Sequence, residues 1–543
     1  LITCSDFTAD NVEMKSLGML NEKGKIDRQE ISGNRERAAA NNWWTYADYR
    51  SRYLGNFGGY FGYAGRKLTV DNCTLTNVDI DVRVGSGLNN VTPGNLGSTY
   101  SYTAVGGFVG STDYDASFTR CTLGSSNGSI KLISDAGYTA DGKDTAASEI
   151  KSNNIVAVGG FIGSAGNRSN DKKYGYTFDT CKVIGNSYGT DKISSGYSAG
   201  GFVGVSKNAN NAILAYYNCS VTDMNIKSIR KTGGYLGFGI NPNVIRVSNS
   251  EVSGSTIVPY DVLTSSTDVA SGGFFGDSRS LIYAYNIHSK GNTVGNRYSY
   301  ASGGFIGIAS QAYGLMKATK SDSAYNKVYG CLTGGIAGNM ARSSTYTSEL
   351  SDVNIKSNKI IGIFADDSKE VYAGGAYGYI TTSNNTRLVG SDIKIEENLI
   401  AAYKDTNKTK AYVGGFAGRF NDNANIKSLQ CNNNIIGMIK DANIEDSHYD
   451  IWTDAGLVSA SKLENAAGYI GTVYRDSNSD IEIRKFPDRI EEADLHNYSS
   501  QTGLFTGIKA GSNINVTDFT VEYRNDLKKY IPASDVGYNG YCA

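Results

Sequence analysis

The sequence predicts an all-β fold, a right-handed parallel β-solenoid (β-helix) of about a dozen coils with capping segments. Three observations carry that prediction: a glycine phrase recurs along most of the chain, a β-patterned phrase follows it, and the composition suits many short strands. Among 543 residues there are 65 Gly and 38 Tyr but only 5 Pro, and each proline would delete a ladder donor from a strand. Hydrophobic residues at 40% and aromatics at 11% make the chain too apolar for disorder.

The glycine phrase reads GGYFG from Gly58 to Gly62, then GGFVG (Gly106 to Gly110), GGFIG (Gly159 to Gly163) and GGFVG (Gly200 to Gly204). It returns as GGYLG ending at Gly237, GGFFG at Gly276, GGFIG at Gly307, GGIAG at Gly338, GGAYG at Gly378 and GGFAG at Gly418, with degenerate copies ending at Gly471 and Gly507. The final glycines stand 31 to 53 residues apart, the period of one supersecondary unit per repeat. In the β phrase, Val78, Ile80, Val82 and Val84 alternate with Asp79, Asp81 and Arg83, as in a half-buried strand. Parallel strands repeated this way stack most simply as a coil, with like positions of successive turns about 4.8 Å apart. WD-repeat propellers have a similar period but hold a steadier unit length. Here the excess sits in the polar stretches Gly85 to Thr103 and Ser134 to Glu149, which read as loops leaving the coil at one corner.

Stacking then assigns roles to side chains. The third-place aromatics Phe108, Phe161, Phe202, Tyr235, Phe274, Phe305 and Phe416 are expected to form an inward ladder. The glycines let the backbone bend at a corner where a side chain would clash. Cys73, Cys121, Cys181, Cys219 and Cys431 lie 11 to 18 residues after a final glycine, and read as a second ladder of small apolar thiols rather than as bridges. Cys331 stands just before a glycine phrase and receives no role. Cys4 and Cys542 fall outside the repeat near opposite ends, where they would permit end-to-end linkage between molecules. Residues 1–50 are charged and free of the phrase, and read as an N-terminal cap with a helical option. The solenoid occupies 51–475, and 476–543 hold a terminal degenerate repeat and a C-terminal cap, since an open last coil would expose unpaired strand edges. Opening on Leu1, the chain reads as a portion of something larger.

Charge excludes some partners. With 52 basic and 53 acidic residues the net charge is −1, so no long-range field draws in nucleic acid or a membrane surface. No apolar run approaches the roughly 18 residues of a membrane span. Catalytic motifs are matched in letters only. His288, His448 and His496 sit in unrelated contexts. GSSNG (Gly124 to Gly128), GNSYG (Gly185 to Gly189) and GYSAG (Gly196 to Gly200) lack the strand-to-helix turn and histidine partner of a nucleophile elbow. GYTADGKD from Gly137 fails as a phosphate loop, because Asp144 stands where a metal-binding Ser or Thr belongs. No cysteine pair has zinc spacing, and no metal or other cofactor is expected. Parallel β-helices do host polysaccharide lyases and hydrolases that use clustered acids. Asp79, Asp81, Asp352, Asp392 and Glu396 are the outward acids here, and alternating charge on a wet face arises without catalysis, so the enzyme is the alternative reading. A binding module is a further one, with Tyr100, Tyr102, Tyr138 and Tyr114 placed to stack on a glycan or protein. Sequons at Asn90 and Asn407 lie in loops open to glycosylation, while those at Asn72 and Asn218 adjoin ladder cysteines.

The glycine phrase resembles the GLUG repeat (Gly-Leu-any-Gly) of bacterial surface proteins, found in large adhesins and beside the peptidase domain of some immunoglobulin A1 proteases. GGFVG, GGFIG and GGYLG carry the resemblance together with NCTLTNVDI from Asn72, over Gly58 to Gly507. It implies a cell-surface β-solenoid acting as a non-catalytic spacer or adhesive module. Phe or Tyr mostly replaces the leucine, and the units run longer. The expected function is therefore a secreted or surface-displayed structural protein, an adhesin stalk or fibre subunit that self-associates end to end or meets a surface glycan or protein.

Overall fold

A computed structural model describes the chain from 56 to 439 outside several loop segments, together with short strands between 2 and 15, 452 and 457, and 501 and 522. Among the described residues every regular element is a strand, and the strands stack in register as a parallel β-solenoid. The chain divides into two compact units, Leu1–Val262 with Phe274–Ser280, and Leu263–Gly273 with Leu281–Ala543.

Each coil runs through four strand positions. One coil of the first unit comprises Thr103–Gly106, Val109–Thr112, Ala116–Thr119 continued by Thr122–Gly124, and Lys131–Ser134. These positions build four parallel sheets, called here the first to the fourth. The first aligns Gly58, Gly106, Gly159, Gly200 and Gly233. The second aligns Phe61, Val109, Ile162, Val203, Leu236 and Phe275. Val70, Phe118, Phe178, Tyr216 and Val247 share one register of the third, and Ile80, Leu132, Ile193, Ile226 and Ile257 one register of the fourth. Alternate residues of the third-sheet strands are buried, so the period-2 pattern sends one side of each strand into the coil.

The N-terminal strands Ile2–Ser5, Thr8–Ala9 and Glu13–Lys15 pair in parallel with Leu68–Asp71, Thr74–Thr76 and Asp79–Asp81. Cys4, read from the sequence as outside the repeat, is thereby in register with Val70. Residues 16–50, the rest of the expected cap, lie outside the described residues, as do 51–55. Within the second unit the strands at the first position, Ala270–Gly272, Ala301–Gly303, Leu332–Gly334, Val371–Gly374, Ala411–Gly414 and Gln501–Gly503, pair in the same parallel register. Gly503 pairs directly with Gly414, and the degenerate copy ending at Gly471 lies outside the described residues. So does most of 476–543.

The phrase glycines are required by closeness. A Cβ at Gly106 would lie 2.0 Å from the Val109 carbonyl oxygen of its own coil. At Gly107 it would lie 2.2 Å from the Gly160 oxygen of the next coil, and at Gly110 2.4 Å from the Phe57 nitrogen of the preceding one. Three glycines thus answer three backbone neighbours, and the first and second sheets meet backbone to backbone. None of these glycines has a positive φ. Left-handed residues fall in two places, midway along the third-sheet strands and at the bend that leads to the fourth sheet. One column is Asn72, Arg120, Thr180, Asn218 and Asn249 in the first unit, and Asn286, Lys320, Asp352, Asp392 and Ser428 in the second. Another is Asn77, Asp223 and Gly254 in the first, and Gly291, Tyr325, Ser357 and Glu397 in the second. Left-handed backbone costs a side-chain-bearing residue about 1–2 kcal/mol, least for Asn and Asp.

The two long polar stretches both fall between the fourth and first sheets, where Val84–Gly85, Gly137–Tyr138 and Asp144–Thr145 form a small sheet of their own. Connections between the second and third sheets also vary, at 167–174, 208–212 and 310–314. Those between the third and fourth sheets vary too, from the short 77–78 and 223–224 to the longer 125–130 and 185–191. Insertions therefore enter the coil at three corners rather than the one expected, because the close-packed glycine turn is the place that admits none.

Candidate functional site

The side chains that the fold brings together are columns inside the coil. In the first unit Tyr60 meets Phe108 at 5.1 Å between ring centroids, and Phe108 stacks on Phe161 at 4.7 Å. Phe161 stacks on Phe202 at 4.9 Å, Phe202 meets Tyr235 at 4.9 Å, and Tyr235 meets Phe274 at 4.8 Å. A neighbouring column from the third sheet stacks Phe118 on Phe178 at 5.3 Å and Phe178 on Tyr216 at 5.1 Å. The two interlock edge to face, with Phe118 and Phe161 5.4 Å apart at 86° and Phe161 and Phe178 5.6 Å apart at 83°. That alternation of stacked and T-shaped pairs is the arrangement the ring quadrupole favours. Burial pushes the Tyr216 and Tyr235 hydroxyls well above the usual phenol range, and Tyr235 Oη donates to the Cys219 carbonyl at 2.6 Å. In the second unit Phe305 and Phe416 are buried, but Ile336 and Ala376 occupy the same phrase position between them.

Cys73, Cys121, Cys181 and Cys219 each directly follow a left-handed residue, and all are buried and outside any disulfide. Cys121 Sγ donates to the Thr119 carbonyl at 3.2 Å and Cys219 Sγ to that of Tyr217 at 3.2 Å. Contact with the Cys181 thiol, then burial, raises Cys121; burial foremost raises Cys181. Such thiols are poor nucleophiles. Ser250 takes the next place in the column, accepting the Cys219 N–H at 3.2 Å. Cys431 occupies a different column: it stands three residues past the left-handed Ser428, in register with Ile395. Its spacing from the glycine phrase resembles that of the others because loop lengths compensate. Cys331 is buried, with Sγ donating to the Glu370 carbonyl at 3.0 Å.

One column escaped the sequence reading. In the second unit the N–H of Asn292 donates to Asn326 Oδ1 at 2.9 Å, that of Asn326 to Asn358 at 2.8 Å, and that of Asn398 to Asn434 at 2.9 Å. Each side-chain amide also donates back to a third-sheet carbonyl: Asn326 to Ser289, Asn358 to Ser323, Asn398 to Ile355 and Asn434 to Ile395. The recurrent Asn-X-Val/Ile of GNTV, YNKV, SNKI and ENLI, from Gly291, Tyr325, Ser357 and Glu397, was the available signal.

On the outside, Asp79 lies 3.9 Å from Lys131 in the first unit. In the second, Asp352 and Asp392 are left-handed bend residues of successive coils, and Glu396 is in register with Lys356. The outward acids are therefore divided between the units. Among the described residues no group of three or more His, Cys, Asp or Glu is arranged to hold a metal ion, and no helix is long and apolar enough to cross a membrane. Tyr114 is exposed and Tyr138 lies in the small three-stranded sheet. Tyr100, Tyr102, Asn90, Asn407, His448, His496 and Cys542 lie outside the described residues. Asn72 and Asn218 are exposed at their bends. The sequence reading did not name Tyr283 and Tyr285, which project two residues apart from one third-sheet strand, 41% and 48% exposed. No protein-family model, curated protein or solved structure matches the chain.

Proposed function

We propose that this protein is a secreted or surface-displayed structural β-solenoid, serving as an adhesin stalk or as the subunit of an extracellular fibre. The packing supports that reading. In the first unit, one or two residues of nearly every coil go into interlocked aromatic columns whose members stack on the coils above and below and meet edge to face within and between coils. Interactions of this kind repeat along the stacking direction and resist separation of neighbouring coils, which is what a load-bearing display element needs. The resemblance of the glycine phrase to the GLUG repeat of surface proteins points the same way. Antibody labelling and protease shaving of intact cells that make the protein test it. The chain is expected at the outer surface or in the medium, and retention in the cytoplasm overturns the reading.

A glycan- or protein-binding module is the second reading, favoured by Tyr283 and Tyr285. Two half-exposed rings on adjacent outward positions of a rigid strand form a platform of the kind sugars stack upon. Lys320 lies with its Nζ 5.8 Å from the Tyr285 ring. A glycan array on wild type and on Y283A/Y285A decides it: signal lost in the double variant supports binding there, and equal signal or none removes it. Release of sugars from a polysaccharide panel would establish the enzyme alternative instead.

A further inference from the structure

Lys231 and Asp277 form an ion pair inside the first unit. Lys231 stands in the first-sheet strand Lys231–Gly233, in the register position that Ser198, Ala157, Ala104 and Asn56 occupy in preceding coils. Asp277 stands in the second-sheet strand Phe275–Ser278, where preceding coils carry Phe238, Val205, Ser164, Ser111 and Tyr63. Mostly small or apolar columns thus end in a cation and an anion. Lys231 Nζ lies 2.7 Å from Asp277 Oδ2, and the two side chains are only 2% and 3% exposed. The setting is aromatic. The Phe238 ring lies 5.5 Å from Nζ and 5.2 Å from the Arg279 guanidinium carbon, and Tyr197 packs on its edge.

We propose that Lys231 and Asp277 condense to an intramolecular isopeptide bond that ties successive coils together. The Nζ–Cγ bond forms and one Cγ–Oδ bond breaks. Of the three ammonium protons, one stays on the new amide nitrogen and two leave with the departing oxygen as water. The reaction is redox-neutral and consumes nothing but the two side chains. Three features of the site favour it. The reacting groups are held in contact by two hydrogen-bonded strands, which removes the entropic cost of bringing them together. The pair is dry, so the two charges lack the hydration that would stabilise the separate groups against condensation. The product is a neutral amide, and an aromatic enclosure keeps water from reversing the step. The bond would join residues 46 apart in sequence, at the corner where the first and second sheets meet.

Mass spectrometry of the purified full chain under denaturing conditions tests this. The intact mass is expected to fall short of the sequence mass by one water. A protease digest is expected to contain a branched peptide whose fragments join the Lys231 and Asp277 segments. The Asp277→Asn variant keeps the shape of the site and is expected to reach the same linkage with loss of ammonia, whereas Lys231→Arg gives the full sequence mass. The proposal is overturned if wild-type protein has its full mass and yields separate peptides with unmodified Lys231 and Asp277. Water loss that maps to any other residue pair overturns it equally. The wild-type result stands on its own, whatever the folding of the variants.

Discussion

The backbone N–H of Asn358 donates to Oδ1 of Asn398 at 2.8 Å, although 40 residues of chain separate the two. The Asn358 side chain in turn accepts from the Asn326 N–H at 2.8 Å and donates to the Ser323 carbonyl at 2.7 Å. Removing it strands a buried donor and a buried acceptor together. Asn358→Ala is therefore expected to destabilise the protein by about 2–6 kcal/mol, at about 1–3 kcal/mol per unpaired group. Hydrogen exchange at the Asn326 amide should accelerate more than at amides of the first unit. Unchanged protection there would mean that the column contributes nothing.

Glycines of this chain differ sharply in what surrounds them. A Cβ at Gly160 would lie 2.0 Å from the Gly201 carbonyl oxygen, whereas one at Gly124 meets nothing nearer than 3.7 Å. Gly160→Ala must push two coils apart and is expected to cost about 4 kcal/mol, in the range of severe core lesions. Gly124→Ala should change stability by less than about 0.5 kcal/mol. Denaturant unfolding of both variants checks the contrast, and equal effects would refute the close-approach account of the phrase.

Thr180 is a β-branched residue held at φ 55°. Its counterparts in neighbouring coils include Asn218 and Asn249, which tolerate that conformation better. Thr180→Asn is expected to stabilise the protein by about 1 kcal/mol. Thr180→Val, equally branched, should give no gain. Thermal melts of the pair test whether the bend stores this strain.

Alkaline pH should destabilise the second unit in part through Tyr300. Burial, followed by the nearby Cys331 and Tyr379, pushes its hydroxyl from 10.0 up to about 12. A folded-state value above the unfolded one means that the folded form holds its proton longer. The associated stability is complete below pH 10 and is lost as pH rises toward 12. Tyr300→Phe keeps the ring near Phe364, 6.2 Å away in the wild type. The variant should lose less stability than wild type between those two pH values. Identical alkaline melting curves would exclude the effect.

Much of the architecture is written locally. Strand phrases such as NCTLTNVDI alternate with period two, and the glycine phrase recurs once per coil, so the coil and its all-β character follow from the chain read in one direction. The bends were less legible. Asn72, Arg120, Thr180, Lys320 and Glu397 share a left-handed backbone but almost no chemistry. That conformation is imposed by the strands on either side, so residue type does not announce it. Cys431 shows the same limit, since distance along the chain from a glycine phrase cannot fix a column when loops of differing length intervene.

By itself the sequence determined that this protein is a stack of parallel strands with glycine at one turn, because hydrophobic alternation and the need for a bare backbone act within each repeat. Only the tertiary structure decided which distant residues touch. The asparagine column, the interlocked rings and the Lys231–Asp277 pair depend on register between coils, and register is set by main-chain hydrogen bonds between segments tens of residues apart.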